Sequence, residues 1–285
     1  MELKKIFKKA KKEGWAIGQF NFSTLEQLRG IASAAKKTLS PVILGTSENE
    51  SRFLGLEETI ALVRILENKE SNDFFLHLDH GRDLDYIKKA IDLGYDSVHF
   101  DGSGLSFEKN LKLTKEIADY AHKKDVFVEG ELGYLRGKSG FQKGKIKLSK
   151  KDLTKPEEVE EFVSKTRINS LAIAIGNVHG IYLKMPQIDF ERLKEIREKT
   201  NTFLVLHGGS GIAENEIKDC IRFGIQKINI NTELRLTWKN ALQKSLEESK
   251  EIKPYIILPQ VSEAIEKKVE KYIKLFGSHN KLYNG

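Results

Sequence analysis

The chain has 285 residues, 39% of them hydrophobic, which is ample for one large core, and its formal net charge is +7 from 48 Lys+Arg against 41 Asp+Glu. So small a surplus fits a lysine-rich solvated surface and requires no nucleic-acid partner, while local positive potential would still concentrate anionic small substrates. A single cysteine, Cys220, cannot form an internal disulfide and points to a reducing cytoplasm. No run of about 18 apolar residues predicts a membrane span.

The first residues, MELKKIFKKAKKEG, read as a helix rather than a leader. From there short apolar runs alternate with longer helical patterns. The spacing predicts strands over Ala16–Phe20, Val42–Thr46, Phe74–Asp79, Ser97–Asp101 and Val126–Glu131, separated by helices over Leu25–Thr38, Leu56–Asn68, Leu84–Leu93 and Phe107–His122. It continues with strands over Ser170–Gly176, Phe203–His207 and Lys227–Asn231, and helices over Pro156–Thr166, Asp189–Lys199 and Glu214–Phe223. Ser23-x-x-Glu26 has the form of a capping box, Pro156 suits a first helical turn, and Gly94 suits a left-handed helix end. Two regions break the alternation. Gly133–Lys151 is a long glycine- and lysine-rich segment, and Thr232–Gly285 adds two helical patterns around Pro254–Pro259.

Eight strands alternating with helices predict parallel βαβ units that close into a (β/α)8 TIM barrel of the α/β class, with extra C-terminal helices and all of residues 1–285 in one domain. A doubly wound open sheet is the alternative, but the Gly-rich turn it usually shows after the first strand is missing at Gln19–Ser23.

Polar residues gather where the strands end: Asp79 and His80 in LHLDHG, Glu129 and Glu131 in EGELG, His179 in GNVHG, His207 in LHGGSG, and Asn229, Asn231, Thr232 and Arg235 in NINTELR. In a barrel these segments converge over one mouth. His80, His179 and His207 suit a catalytic zinc, because neutral imidazole is a good ligand and three protein ligands leave a position open for a substrate carbonyl. His77 shares a strand face with Asp79 and is expected to be a core or supporting residue, as is His99, whereas His122 and His279 are expected at the surface. Gly208-Gly209-Ser210-Gly211 precedes a helix whose first amides can bind phosphate, with Asn229, Thr232 and Arg235 as further contacts.

These motifs resemble the class II, metal-dependent fructose-bisphosphate aldolase family, which includes tagatose-bisphosphate aldolases. The likeness runs from FNFSTLEQLRG through SPVILGTSE, LHLDHG, EGELG, VHG, HGGSG and TELR to KLFGS near the C-terminus. It implies reversible cleavage of fructose 1,6-bisphosphate to dihydroxyacetone phosphate and glyceraldehyde 3-phosphate, with tagatose 1,6-bisphosphate as the alternative. By the family pattern His80, His179 and His207 carry Zn2+, Asp79 handles the C4 hydroxyl proton, and Glu131 matches an alternate metal position. Gly180, Lys184, Gly208 and Ser210 match the dihydroxyacetone-phosphate and monovalent-cation (Na+ or K+) region. Asn229 and Thr232 complete it, Arg235 matches the residue that meets the far phosphate, and Asn21 and Ser47 match further substrate-side positions. The implied partners are a small sugar bisphosphate and other copies of the chain, in a homodimer or homotetramer.

Two features depart from the pattern. Asn231 stands where the resemblance implies aspartate for fructose or alanine for tagatose bisphosphate, and Arg235 tips the expectation toward fructose. The segment Gly133–Ser149 has no acid, although the family pattern places the C1 proton base there. It carries Arg136, Lys138, Lys143, Lys145 and Lys147 instead, which would attract phosphate. A zinc hydrolase on the same fold is the competing enzyme class, but the His-x-His it often shows on the first strand is replaced by Gln19-Phe20-Asn21. A sugar-phosphate-binding protein without catalysis is the non-enzymatic alternative.

Overall fold

The computed structural model describes residues 2–70, 74–142, 144 and 146–282. In chain order the elements begin with α1 (Glu2–Glu13), β1 (Ile17–Asn21), α2 (Leu25–Thr38), β2 (Val42–Ser47), α3 (Glu48–Leu54), α4 (Leu56–Glu70) and β3 (Phe74–Gly81). Next come α5 (Leu84–Leu93), β4 (Ser97–Phe100), α6 (Phe107–His122), β5 (Phe127–Leu132), β6 (Gly137–Gln142), α7 (Pro156–Thr166), β7 (Ser170–Ile173) and β8 (His179–Tyr182). The chain continues with α8 (Phe190–Lys199), β9 (Phe203–Leu206), α9 (Glu214–Arg222), β10 (Ile225–Ile230), α10 (Thr232–Glu248) and α11 (Pro254–Phe276).

Among the described residues, eight parallel strands close a barrel in the order β1-β10-β9-β7-β5-β4-β3-β2, ringed by helices. This is the expected (β/α)8 barrel, and closure removes the two edges that an open doubly wound sheet would leave. All eight expected strands are barrel strands, with ends shifted by a residue or two in most. β7 stops well short of Gly176 because the side chain of Asn177 captures the backbone there. Its Oδ1 accepts from Ile175 N at 2.8 Å and its amide donates to Ile173 O at 3.2 Å.

The cap of α2 sits one residue later than the Ser23-x-x-Glu26 pattern suggests. Thr24 is extended (φ −140°) and its hydroxyl accepts from Gln27 N, while the Gln27 side chain accepts from Ser23 N. Pro156 opens α7, and Gly94 ends α5 in the left-handed region at φ 108°, both as expected. Within Gly133–Lys151 the structure adds β6, which pairs in parallel with β8; Lys143 and Lys145 lie outside the described residues. In the C-terminal region α10 is the eighth helix of the barrel and α11 is the extra one, running unbroken through Pro259. It lies so close on α2 that a Cβ at Gly30 would sit 2.6 Å from Ser262 O, so only glycine fits that crossing. None of the described helices is long and apolar enough to cross a membrane.

Helix α1 plugs the N-terminal mouth of the barrel. Phe7 is fully buried among Ile17, Ile43, Phe75, Phe127 and Phe203, which open their strands, and its ring lies 4.9 Å from that of Phe127 and 5.0 Å from that of Phe203. Further along the barrel the buried positions turn polar: Gln19, His77, His99, Glu129 and Lys227. The apolar end anchors the barrel, and the polar end positions the site.

Candidate active site

Each of the three histidines leaves its strand end by a distinct local device. His80, the penultimate residue of β3, lies in the left-handed region at φ 50°, a conformation that costs a non-glycine residue about 1–2 kcal/mol. Its backbone N–H donates to His99 Nδ1 at 3.1 Å, which helps hold it there. His179 opens β8, where its N–H donates to Arg136 O at 2.8 Å, so the β6 segment fixes its position. His207 follows β9, and its carbonyl accepts from the Asn177 amide at 2.9 Å. One asparagine thus ties the turn before His179 to the loop of His207.

His80 is the hub of the three rings. Its Nε2 lies 3.2 Å from His179 Nε2 and 3.0 Å from His207 Nδ1. Tetrahedral zinc with nitrogens at about 2.0–2.1 Å requires them roughly 3.3 Å apart, and these two contacts of His80 meet that spacing. The supporting groups fit as well. Glu129 Oε1 lies 2.7 Å from His207 Nε2, and Asp101 Oδ2 lies 3.3 Å from His80 Nδ1, so each imidazole keeps its other nitrogen turned to the centre. Asp79, His80, His99 and His207 bring donor atoms within 4.8 Å of one another, a group that leaves out His179, as do His80, Asp101 and Glu131. His99 is the poorer donor, since its Nδ1 accepts from His80 N and its Nε2 lies 3.2 Å from Glu131 Oε2. Glu131 lines no part of the open cavity; it sits deeper, beside His80 and Asp101.

Carboxylates set the charge of these rings. Burial disfavours charge on His80, but Asp79, Asp101 and Glu131 outweigh it and raise its pKa to about 10. Burial and the neighbouring positive rings push His179 down to about 3 and lower His207 as well. A single positive charge is therefore stabilised among three imidazoles, two of which stay in the neutral, ligating form. Burial works against the Asp79 carboxylate too, yet the charge on His80 and its neighbours holds it well below the usual carboxylate range. Asp79 accepts from Asn21 Nδ2 at 2.9 Å and from Asn229 Nδ2 at 3.2 Å, so both oxygens are oriented.

Thirteen of the residues singled out by the sequence line one cavity of about 150 Å³: Asn21, Ser47, Asp79, His80, His179, Gly180, His207, Gly208, Ser210, Asn229, Asn231, Thr232 and Arg235. Larger hollows of about 630 and 650 Å³ lie elsewhere, below the barrel and against α11, without this chemistry. Lys184 is exposed and does not line the cavity. Asp79 is the sole carboxylate among the lining residues. Gly208 adopts φ 63°, and a Cβ there would meet Val178 O at 2.2 Å, so glycine lets the loop of His207 cross the strand of His179. Ser210 Oγ accepts from Glu233 N at 3.3 Å, placing this hydroxyl at the start of α10.

Several residues at the site had been given no role from the sequence. Ser139 of β6 lines the cavity and hydrogen-bonds Thr232 at 2.9 Å, the one described part of the acid-free segment to do so. Arg136, expected to attract phosphate, instead pairs with Asp152 at 2.6 Å, and Lys138 and Lys147 are exposed. Glu129 also accepts from Lys227 Nζ at 2.7 Å and from Ser170 Oγ at 3.1 Å, forming a fully buried ion pair behind the metal centre. The sequence marked Glu129 only as a polar residue at a strand end, with no role assigned. Glu50 is buried and bonds four residues of the cavity wall; its signal was the Ser47-x-x-Glu50 capping box, which the structure contains.

Comparisons with known proteins bear on this site. The family model described as "Fructose-bisphosphate aldolase class-II" matches residues 1–281. A sulfofructosephosphate aldolase of Alkalicoccus urumqiensis is 38% identical, covering 98% of this chain and 96% of its own. A fructose-bisphosphate aldolase of Staphylococcus aureus is also 38% identical, covering 99% and 98%. Among solved structures, the YdjI aldolase of Escherichia coli K12 superposes with a TM-score of 0.86 at 32% identity, covering 98% of each chain.

Proposed function

Because the chain belongs to the class II fructose-bisphosphate aldolase family, we propose that it is a zinc-dependent lyase that reversibly cleaves a ketose phosphate to dihydroxyacetone phosphate and an aldehyde. The observation that carries this is the contact of His80 Nε2 with a ring nitrogen of His179 at 3.2 Å and of His207 at 3.0 Å, beside the buried carboxylate of Asp79. His80, His179 and His207 would hold the zinc. Bound there, it would act as a Lewis acid toward the C2 carbonyl and offset the negative charge that develops on the dihydroxyacetone half.

The remaining chemistry belongs to the chain's own residues. Asp79, with both oxygens oriented by Asn21 and Asn229, accepts the C4 hydroxyl proton as the C3–C4 bond breaks and returns it in the condensation direction. The backbone around Gly208 and the hydroxyl of Ser210, at the start of α10, take the phosphate of the dihydroxyacetone half. Gly180, Thr232 and Asn229 complete that side, and by the family resemblance Lys184 belongs to it as well. A monovalent cation belongs to the same region by the family resemblance, Glu131 with Asp101 and His80 provides the alternate metal position, and the assembly is a homodimer or homotetramer acting in the cytoplasm. Holding both halves in one narrow cavity keeps the scissile bond in register.

For the aldehyde half, Arg235 favours a second phosphate and hence fructose 1,6-bisphosphate, with tagatose 1,6-bisphosphate as the nearest alternative. A second reading, a ketose carrying one phosphate only, is favoured by the engagement of Arg235 with Glu50. Relatives of equal identity whose names specify different substrates give no preference. The experiment is cleavage of fructose 1,6-bisphosphate, tagatose 1,6-bisphosphate and fructose 1-phosphate, side by side, with zinc and after chelation. Dihydroxyacetone phosphate should appear with zinc, disappear on chelation and return on add-back. Activity that survives complete metal removal would refute the metal mechanism.

A further inference from the structure

The far end of the cavity is organised by one carboxylate. Glu50 Oε2 accepts from Ser47 N at 2.8 Å and from Asn21 Nδ2 at 3.1 Å. Glu50 Oε1 accepts from Arg235 Nη2 at 2.5 Å and from Asn231 Nδ2 at 3.3 Å. The Glu50 side chain is 7% exposed and that of Arg235 is 40% exposed, so the arginine faces the opening while the acid stands behind it. One donor each from Arg235, Asn231, Asn21 and Ser47 is thereby turned to Glu50. The Glu50–Arg235 pair carries no net charge. Asn231 lines the same wall, and its Oδ1 has no donor partner.

A phosphate seated on Arg235 would share the guanidinium with Glu50 or take it away. Either way a buried carboxylate stands beside a phosphate of the same sign with its ion pair weakened, an unfavourable arrangement on both counts. A hydroxyl-bearing, uncharged chain avoids both costs, since it can donate to Glu50 or to Asn231 Oδ1 and accept from Arg235. We propose that Glu50 is a specificity-determining residue that neutralises Arg235 and selects an uncharged polyhydroxy aldehyde, rather than a phosphorylated one, as the second half of the substrate. This rests on the aldolase reading above and narrows its substrate to a ketose carrying one phosphate, on the dihydroxyacetone side.

The test uses the zinc-loaded full chain in the condensation direction, where the two halves are separate molecules. Dihydroxyacetone phosphate is paired with glyceraldehyde or with glyceraldehyde 3-phosphate, and kcat/KM is measured for each aldehyde. The wild type should use glyceraldehyde at least as well as its phosphate. Glu50→Gln, which keeps the shape, and Glu50→Ala should each shift the ratio toward the phosphorylated aldehyde by about tenfold or more, the effect of removing about 1.4 kcal/mol of discrimination. A wild-type preference for glyceraldehyde 3-phosphate, or a ratio that neither variant moves, overturns the role of Glu50. Exchange of the C1 proton of dihydroxyacetone phosphate with solvent needs no aldehyde and separates the two levels. A wild type without exchange sinks the aldolase reading and this inference with it. Exchange with an adverse aldehyde ratio sinks the inference alone.

Discussion

Glu129 offers the sharpest check on how the metal centre is supported. Its carboxylate serves three groups at once: His207 at 2.7 Å, Lys227 at 2.7 Å and Ser170 at 3.1 Å, all fully buried. In Glu129→Gln the carbonyl can accept from His207 or from Lys227 but not from both, and the new amide turns donors toward one of them. Removing one member of a buried ion pair costs about 3–5 kcal/mol, because the other charge stays uncompensated. At about 2 °C per kcal/mol for a chain this long, Tm of the chelated protein should fall by roughly 6–10 °C. Zinc affinity should fall by about 10–100-fold, as is usual when the acceptor behind a ligating histidine is weakened. Measuring Tm without metal and Kd by chelator competition keeps the two quantities apart. The double variant Glu129→Gln with Lys227→Met should recover much of the Tm, since the uncompensated charge is gone, but not the zinc affinity. Zinc affinity that follows Tm back to the wild-type value would show that Glu129 acts on the metal only through general stability. An unchanged Kd in the single variant would refute the support role outright.

Two further outcomes are expected. Asp79→Asn keeps an amide in the place of the only carboxylate that lines the cavity, so cleavage should fall by about 10²–10⁴-fold while bound zinc, measured by elemental analysis, is retained; loss of the zinc along with the activity would mean that Asp79 acts as a ligand. Glu233 is largely buried, which alone would raise its pKa, but Tyr272 at 2.5 Å, Lys268 at 3.0 Å and Gly211 N at 3.1 Å lower it from the ordinary value of 4.5. A carboxylate whose folded pKa is depressed contributes stability that is present above its unfolded pKa and lost as pH falls through the folded one. The Tm difference between wild type and Glu233→Gln should therefore be full above the ordinary carboxylate value of 4.5 and shrink as the pH falls below it, and a difference that stays constant as the pH is lowered contradicts the linkage.

The barrel was legible because its signal is periodic. Each strand is a short apolar run and each helix a longer amphipathic one, so a reading by period recovers α2, α5, α6 and α7 to the residue. The strand ends were legible because polar side chains interrupt those runs. What escaped lacks a period. Segment β6 reads GKSGFQ, exposed on most of its length, and its pairing with β8 is carried by backbone hydrogen bonds that leave no mark on side-chain order. Ser139 enters the cavity only through that pairing. Glu50 did carry a mark, the Ser47-x-x-Glu50 box, but the same three-residue spacing at Ser23–Glu26 turned out not to be the cap of α2. Spacing shows that a capping box can form; it does not show that the capping acid will also reach Arg235, which lies 185 residues along the chain.

The polar layer around the site is costly in itself. Gln19 Oε1 and His77 Nε2 are buried without a partner, and an unsatisfied buried group costs about 1–3 kcal/mol. His80 adds backbone strain at φ 50°. A barrel filled in this way along its whole length would be hard to stabilise. The chain instead divides the barrel along its axis. Phe7 of α1 closes the lower end against Ile17, Ile43, Phe75, Phe127 and Phe203, and burying side chains of this kind contributes about 1.5–3 kcal/mol each. The first residue of β5 belongs to that apolar plug, while Glu129, two positions on, holds His207 and Lys227. One strand face thus changes from core to site within a single period. That is why the metal centre can be built from strained and incompletely satisfied groups: the strands that carry it are fixed from below, by contacts the substrate never meets.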